Sequence, residues 1–131
     1  MPIGDVNSTE LGSGARYNDG KPDLSLIPLW TLEDEARVWD YGRQTKYKAW
    51  NWAKGMPWSV PYACLQRHLA KWQRGQDLDE ESGLPHLAHV ACNLRMLILY
   101  AETYREGDDR PPKRLMNAPE GDTYLDSGKL A

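Results

Sequence analysis

Residues 77–97 read Asp-Leu-Asp-Glu-Glu-Ser-Gly-Leu-Pro-His-Leu-Ala-His-Val-Ala-Cys-Asn-Leu-Arg-Met-Leu, and this stretch decides the fold. The segment after Pro85 continues to about Tyr104 with the spacing of a helix. Its apolar residues cover most of the helix circumference: Leu87, Val90, Ala91, Leu94, Leu97, Ile98 and Ala101. A helix that is apolar on nearly all sides is buried by its neighbours. We therefore expect it to be the central helix of the protein.

One polar strip interrupts this apolar helix. His86, His89 and Asn93 lie at positions i, i+3 and i+7, so they share one face. Buried polar groups need partners, and the strip must therefore face a ligand, a metal ion or polar groups of another helix. Acidic residues 79–81 directly precede the helix, where its dipole favours negative charge. Simple helix-start acidity is the alternative explanation for them.

Two further helices are predicted before the central one. The first begins near Thr31, because Thr31 followed by Asp34 matches a capping box. The second begins at Ser59, a favourable N-cap residue, and ends at Gly75. Three helices of roughly 14 to 20 residues bury only a thin core. We therefore predict an all-α fold, a small helical bundle that is completed by dimerisation or higher oligomerisation.

Composition and charge exclude several classes of protein. The chain has 131 residues, a net charge of −3 and a pI of about 5.6, which indicates one domain and no bulk attraction for nucleic acid. It has neither an apolar run of about 18 residues, as a membrane span needs, nor a secretory signal pattern. Its two cysteines, Cys64 and Cys92, lie in apolar helical patterns and are expected to be reduced. We expect a cytoplasmic protein.

The domain is expected to span residues 16–105. Residues 1–15 are rich in Gly and Ser and are predicted to be a flexible N-terminus. Residues 106–131 contain Pro111-Pro112, which ends any helix. This C-terminal segment is predicted to be a flexible tail or an arm laid on a neighbouring subunit.

The segment between the first two helices mixes cations, aromatic rings and an amide, which suits a nucleotide. An indole stacks on a base, and an ammonium group meets phosphates. The candidates are Lys46, Trp50, Asn51, Trp52 and Lys54. The same mixture also suits a loop that places two tryptophans in the core. Lys21, which follows a turn signal at Gly20, either meets a phosphate or is a solvated loop lysine.

The histidines and carboxylates around the central helix suggest a metal site. His86 and His89 share a face, and the acidic residues 79–81 precede them. Mixed imidazole and carboxylate ligands suit Mn²⁺, Zn²⁺ or Fe²⁺, whereas Mg²⁺ favours carboxylates and water. His68 borders the apolar face of the second helix, where a lone histidine is more often a satisfied core residue than a ligand.

Several motifs occur in the same order as in one known family: Arg16-Tyr-Asn-Asp-Gly-Lys-Pro22, Gly42, Lys46-Tyr47, Asn51-Trp52-x-Lys54-Gly55, Arg67-His68-Leu69 and Asp79-x-Glu81-Ser-Gly-Leu-Pro-His86-Leu-Ala-His89-x-x-Cys-Asn93. Through them, about residues 15–104 resemble the phage-encoded N-terminal domain of dATP/dGTP diphosphohydrolases. The resemblance implies a tailed-phage origin, hence the host cytoplasm, and an all-α fold similar to the MazG-type nucleoside triphosphate pyrophosphohydrolases. Those enzymes cleave between the α- and β-phosphates with two or three Mg²⁺ or Mn²⁺ ions.

The chain departs from the MazG pattern at the metal ligands. MazG-type enzymes hold their metals with Glu-x-x-Glu on one helix and Glu-x-x-Asp on the next. The corresponding positions here carry Arg67-His68 and His86-x-x-His89, so no MazG ligand transfers residue by residue. Some members of the family have a second domain after this one, and the activity can belong to that part.

We therefore expect metal-assisted hydrolysis of a purine deoxynucleoside triphosphate. The expected metal ligands are Glu81, His86 and His89, with Mg²⁺ or Mn²⁺ preferred and Zn²⁺ or Fe²⁺ as alternatives. The expected catalytic residues are Asp79 and Glu81. The expected substrate contacts are Lys21, Lys46, Trp50, Asn51, Trp52, Lys54, Arg67, His68 and Asn93. Two other hypotheses remain open: a phage protein that sequesters a nucleotide without chemistry, and an oligomeric module whose Trp-rich surface binds another protein.

Overall fold

The computed structural model describes residues 3–119. It contains three α-helices: α1 at Glu33–Thr45, α2 at Ser59–Gln73 and α3 at His86–Thr103. Short 3₁₀ turns lie before, between and after them, at Leu24–Leu26, Leu29–Leu32, Asn51–Lys54, Arg105–Gly107 and Lys113–Leu115. Within the described residues the only β-type pairings are two isolated bridges, Ile3 with Arg16 and Leu78 with Pro85. The predicted all-α fold is confirmed.

Helix α3 is the central element, as predicted, but its apolar surface is not buried on all sides, because Leu87, Leu94 and Ile98 are 46%, 49% and 61% exposed. It packs against both α1 and α2, whereas α1 and α2 do not pack against each other in the described part of the chain. Because the two outer helices meet only through α3, a gap stays open between them. This gap becomes the cleft described below.

The ends of α2 show how the helix is limited. Gly75 follows it with a φ of +94°, and its N–H donates to the carbonyl of Trp72. A glycine in this left-handed conformation is a common helix end, as the sequence predicts. At the other end, the backbone N–H of Ser59 donates to Oδ1 of Asp109 at 2.9 Å. The cap at the start of α2 therefore comes from a residue far along the chain.

The predicted cap of α1 is wrong. Thr31 lies inside the 3₁₀ turn Leu29–Leu32, and α1 begins at Glu33 without a side-chain cap. The hydroxyl of Thr31 donates backwards to the carbonyl of Pro28 at 2.7 Å. The turn that follows Pro28 brings this carbonyl within reach, so the hydroxyl is engaged before α1 starts.

The core is small. Its buried hydrophobic residues in the described chain are Val38, Leu65, Ala88, Cys92 and Tyr100, and of these Tyr100 is fully buried. In contrast, five large apolar residues just before α1 are more than half exposed: Leu24, Leu26, Ile27, Leu29 and Trp30. This thin core agrees with the sequence analysis, and the oligomer that would cover the exposed run stays a prediction. No helix in the described range is both long and apolar enough to span a membrane.

Candidate functional site

An open cleft of about 1140 Å³ lies between the three helices. The cleft results from the packing, because α1 and α2 each pack against α3 and do not contact one another. Its walls include residues of all three helices, of the connection between α1 and α2, and of the acidic loop before α3. Indoles, cations, imidazoles and carboxylates therefore share one solvent-accessible space.

The three histidines meet in one cluster beside this cleft. His68 comes from α2, whereas His86 and His89 come from α3. The rings of His68 and His89 stack, with centroids 4.3 Å apart and planes 5° from parallel. Nδ1 of His68 lies 2.8 Å from Nδ1 of His86. His86 is fully buried, and its Nε2 has no hydrogen-bond partner among the described residues.

Asp79 joins the histidine cluster and is held firmly by the loop that leads into α3. Its Oδ2 accepts from the backbone N–H groups of Glu81 and Ser82, at 3.2 and 2.8 Å. The Oγ of Ser82 in turn lies 2.7 Å from Nε2 of His89, and this Nε2 is 3.9 Å from Asp79 Oδ2. The pairing of Leu78 with Pro85 closes the loop. Asp79 is thus positioned by backbone geometry.

The electrostatics of the cluster favour a carboxylate next to neutral imidazoles. Burial acts against ionisation of Asp79, but hydrogen bonds from Ser82 and the proximity of His89 outweigh it and lower the pKa of Asp79. Burial, reinforced by His89, lowers the pKa of His68 to about 4. Burial also lowers the pKa of His89 against the opposing pull of Asp79. At neutral pH the rings of His68 and His89 therefore carry free lone pairs.

Three of these side chains lie at the spacing of a metal site. One ligand atom from each of His68, Asp79 and His86 falls within 4.8 Å of the other two. Two imidazole nitrogens with one carboxylate oxygen form a donor set that suits Zn²⁺, Fe²⁺ or Mn²⁺ better than Mg²⁺. The unpartnered, buried Nε2 of His86 also fits a cation in this place. The residues present therefore fit a divalent transition-metal ion.

The three predicted metal ligands, His86, His89 and Glu81, lie at different distances from the group of His68, Asp79 and His86. His86 belongs to the group just described, and His89 borders it with its Nε2 at Ser82. Glu81 lies at the cleft, where its Oε1 is 2.8 Å from Nζ of Lys46 and accepts from the hydroxyl of Tyr41 at 3.3 Å. Its side chain is 62% exposed, so it is accessible to a ligand in the cleft.

Seven of the nine predicted substrate contacts line the cleft: Lys46, Trp50, Asn51, Trp52, Arg67, His68 and Asn93. Lys21 lies outside it, in a separate concavity next to Ile3 and Arg16. Lys54 is exposed at the end of its 3₁₀ turn and does not line the cleft. Asn93 is buried, and its Nδ2 donates to the carbonyl of His89 at 2.8 Å.

Three tryptophans form an aromatic wall on the cleft. The rings of Trp39 and Trp52 have centroids 4.7 Å apart, and Trp50 lies 6.1 Å from Trp52. The carbonyl of Trp52 accepts from the hydroxyl of fully buried Tyr100 at 2.5 Å, which fixes the segment to α3. Trp50 has a φ of +65° and is 72% exposed. Such a conformation is unusual for a bulky residue and is typical of functional sites.

An ion pair between Glu35 and Arg95, next to Trp39, was not predicted from the sequence. Glu35 of α1 is only 5% exposed, and Arg95 of α3 donates to it through Nε and Nη2 at 2.5 and 2.8 Å. Nε1 of Trp39 donates to the same carboxylate at 2.9 Å. The sequence position of Glu35 could have indicated its burial, because Glu35 lies one helical turn before Val38 and Trp39 on the buried face of α1.

The fold and the site define a small all-α protein with a polar, aromatic cleft between its helices. The family described as dATP/dGTP diphosphohydrolase, N-terminal, matches residues 12–110, and the chain belongs to this family. A dATP/dGTP diphosphohydrolase of Salmonella phage PMBT28 is 34% identical to it over 98 residues, which are 75% of this chain and 33% of the relative. The chain thus spans about a third of that relative's length. No solved structure matches the chain.

Proposed function

We propose that this protein is a phage enzyme that hydrolyses dATP or dGTP to the monophosphate and pyrophosphate in the cytoplasm of the infected host, with a divalent metal ion. One observation carries the proposal: a single cleft of about 1140 Å³ combines the tryptophan wall with cations, carboxylates and imidazoles. This volume lies just above the roughly 300–1,000 Å³ that is typical of small-molecule sites. The relative's name supplies the substrate class.

The tryptophan wall is the proposed base site. Trp50 presents an exposed ring to the cleft, and Trp52 lies beside it with its backbone anchored by Tyr100. Stacking of a base on an indole contributes about 1–3 kcal/mol. Purines present a larger ring face than pyrimidines, which agrees with a preference for dATP and dGTP. Asn51 lies next to these rings and offers an amide to the base edge.

The cations of the cleft are the proposed phosphate contacts. Arg67 lines it with an exposed side chain and has no ion-pair partner among the described residues. Its guanidinium can bind phosphate oxygens in a bidentate manner. Lys46 and Lys71 also line the cleft, paired with Glu81 and Glu80 at 2.8 and 3.1 Å. A triphosphate would compete with these exposed carboxylates for the two ammonium groups.

Glu81 is the proposed general base. Hydrogen bonding from Lys46 lowers the pKa of Glu81, which keeps the carboxylate ionised but also makes it a weaker base while Lys46 is bound to it. Its exposure to the cleft is what supports the role. In the step, a water oxygen bonds to the α-phosphorus, the bond from this phosphorus to the bridging oxygen breaks, and pyrophosphate leaves. The water proton goes to Glu81. Asp79 is engaged by backbone N–H groups, which favours a positioning or ligand role for it.

The divalent ion would be held at the start of α3. His86 lies there with Asp79 as a proposed ligand, His89 borders them, and Glu81 faces the adjoining cleft. When bound, such an ion polarises phosphate oxygens and lowers the pKa of a bound water. The side chains at the start of α3 would hold the ion next to the triphosphate.

A second candidate is supported by the length of the relative. Since the chain covers a third of that protein, the hydrolytic step can reside in the remaining two-thirds. In that case this domain binds the nucleotide without chemistry. The exposed apolar run before α1 further supports a homo-oligomer under either function.

Chromatographic product analysis separates these candidates. The purified chain is incubated with each dNTP and NTP, with and without Mn²⁺ or Mg²⁺. Metal-dependent monophosphate and pyrophosphate from dATP and dGTP support the enzyme. Unchanged nucleotide, together with a Tm that rises with dATP or dGTP, supports the binding module and refutes hydrolysis by this chain.

A further inference from the structure

We propose that His68, Asp79 and His86 form a site for one divalent transition-metal ion that joins α2, the acidic loop and α3. The site goes beyond the proposed function, because it names a ligand set and a metal class and is inferred from side-chain geometry alone. It replaces Glu81 and His89 of the sequence prediction with Asp79 and His68. Binding of the ion needs neither substrate nor catalysis.

The contact between His68 and His86 is the first argument. Their Nδ1 atoms are 2.8 Å apart, inside the cluster where three ligand atoms lie within 4.8 Å. Two imidazole lone pairs repel at this distance, so the space between the rings needs a proton or a cation. A shared proton satisfies both nitrogens as one donor and one acceptor, and a divalent ion would satisfy them by accepting both lone pairs.

The buried Nε2 of His86 is the second, independent argument. The residue is 0% exposed, and this atom has no partner among the described residues. If His86 donates from Nδ1 to His68, its Nε2 is a buried lone pair without a donor. If it accepts at Nδ1, its Nε2 carries a buried proton without an acceptor. Either tautomer of the hydrogen-bonded pair therefore leaves a costly unsatisfied atom at Nε2. An ion bound through Nε2 removes this cost, whereas an ion bound through Nδ1 does not, so this atom favours ligation of the ion by Nε2 of His86.

The support around Asp79 is the third argument. Its Oδ2 accepts two backbone N–H groups, so the carboxylate is oriented before any ligand arrives. Metal-binding carboxylates are commonly held by such hydrogen bonds. The Oγ of Ser82 meets both His89 and the loop backbone, which ties the adjacent ring to the same loop. The donor set is therefore pre-organised on one rigid turn and two helices.

The donor chemistry selects the metal class. Two nitrogen ligands and one oxygen ligand favour Zn²⁺, Mn²⁺ or Fe²⁺, and Mg²⁺ prefers oxygen ligands and its own water. We therefore expect tight binding of Zn²⁺ and Mn²⁺ and weak binding of Mg²⁺ to the chain without nucleotide. The inferred ion joins two helices of the folded chain, so the Tm should rise with the logarithm of its concentration above the Kd.

Calorimetric titration with Zn²⁺, Mn²⁺ and Mg²⁺, in the absence of nucleotide, tests the site. The expected result is one ion per chain, with affinity lowered more than about tenfold by His68→Gln or Asp79→Asn. Glu81→Gln is the matched control, since Glu81 lies at the cleft outside the group and should leave affinity unchanged. Loss of affinity in Glu81→Gln with full affinity in His68→Gln would overturn the proposal, as would equal affinity for Mg²⁺ or no binding.

A second measurement guards against variants that fail to fold. The native chain loaded with Co²⁺ should show the visible absorption of a nitrogen-ligated ion, and Zn²⁺ should displace it. Absence of this absorption, or its persistence at full intensity in a folded His68→Gln, would contradict the assignment. Because these readouts use no substrate, a metal site without hydrolysis refutes only the proposed function. Hydrolysis by a chain that binds no Zn²⁺ or Mn²⁺ in the absence of nucleotide refutes only the metal site.

Discussion

His68 of α2 and His86 of α3 approach each other through their Nδ1 atoms at 2.8 Å, although 18 residues separate them in the chain. This contact joins two helices at the point where the acidic loop enters α3. It brings imidazoles next to the fixed carboxylate of Asp79, with stacked His89 beside them. The site therefore depends on the packing of α2 against α3 as much as on the residues themselves.

Trp50→Ala should weaken binding of dATP by about 1–3 kcal/mol, because the stacking surface for the base is lost. The measurement is a fluorescence or calorimetric titration without turnover. Trp30→Ala is the matched control, because Trp30 is 73% exposed, close to the 72% of Trp50, and does not line the cleft. Equal affinity in the two variants would remove Trp50 from the base site.

Arg67→Met should weaken binding of dATP far more than binding of deoxyadenosine, because only the triphosphate meets the guanidinium. We expect a loss of about 1.5–3 kcal/mol, typical of a hydrogen bond to a charged group. Arg74→Met, also on the α2 side but outside the cleft, is the control. A similar loss for nucleoside and triphosphate would show that Arg67 acts through the structure of α2.

Glu35→Gln should lower the free energy of unfolding by about 1–2 kcal/mol at neutral pH. This loss is small for an ion pair with a buried carboxylate, because the Arg95 side chain is half exposed and solvent screens the interaction. Hydrogen bonding from Arg95 lowers the pKa of Glu35 in the folded protein. A lowered pKa stabilises the fold above the unfolded pKa, and this contribution is lost as pH falls through the folded value.

The difference between the native chain and Glu35→Gln should therefore shrink as pH falls below about 4.5, near the ordinary pKa of a glutamate. Urea unfolding at a series of pH values measures it. Glu33→Gln is the control, because the Glu33 side chain is 67% exposed and its Oε2 lies as far as 3.9 Å from Nη2 of Arg37. A difference that grows on acidification would contradict the role of the ion pair.

Asp109→Ala should lower the Tm, because the carboxylate accepts from both the backbone N–H and the hydroxyl of Ser59 at the start of α2. Glu106→Ala, an exposed acidic residue nearby, should leave the Tm unchanged. Thermal unfolding followed by circular dichroism compares them. An unchanged Tm in Asp109→Ala would contradict this capping role of Asp109.

The sequence predicts local features well and long-range contacts poorly. The centrality of α3 and the end of α2 at Gly75 follow from apolar periodicity and from glycine conformation, which are properties of neighbouring residues. The pairing of Glu35 with Arg95 spans 60 residues and depends on how α1 crosses α3. The hydrophobic periodicity of the sequence does not indicate how α1 crosses α3.

The candidate site shows the same division. The strip of His86 and His89 is visible on one helix, whereas the entry of His68 depends on the register between α2 and α3. Lys21 and Lys54 were predicted to bind substrate from loop composition alone, and the loop paths place both away from the cleft. Composition indicates what a side chain can bind, and packing decides where it lies.

The most direct test of the account is mass spectrometry of the products formed from dATP and dGTP by this chain in ¹⁸O-labelled water. With Mn²⁺ present, we expect equal amounts of monophosphate and pyrophosphate, with the label in the monophosphate because water bonds to the α-phosphorus. Nucleotide that remains intact with every divalent ion tested, in a sample that retains its helix content, would contradict the proposed hydrolysis.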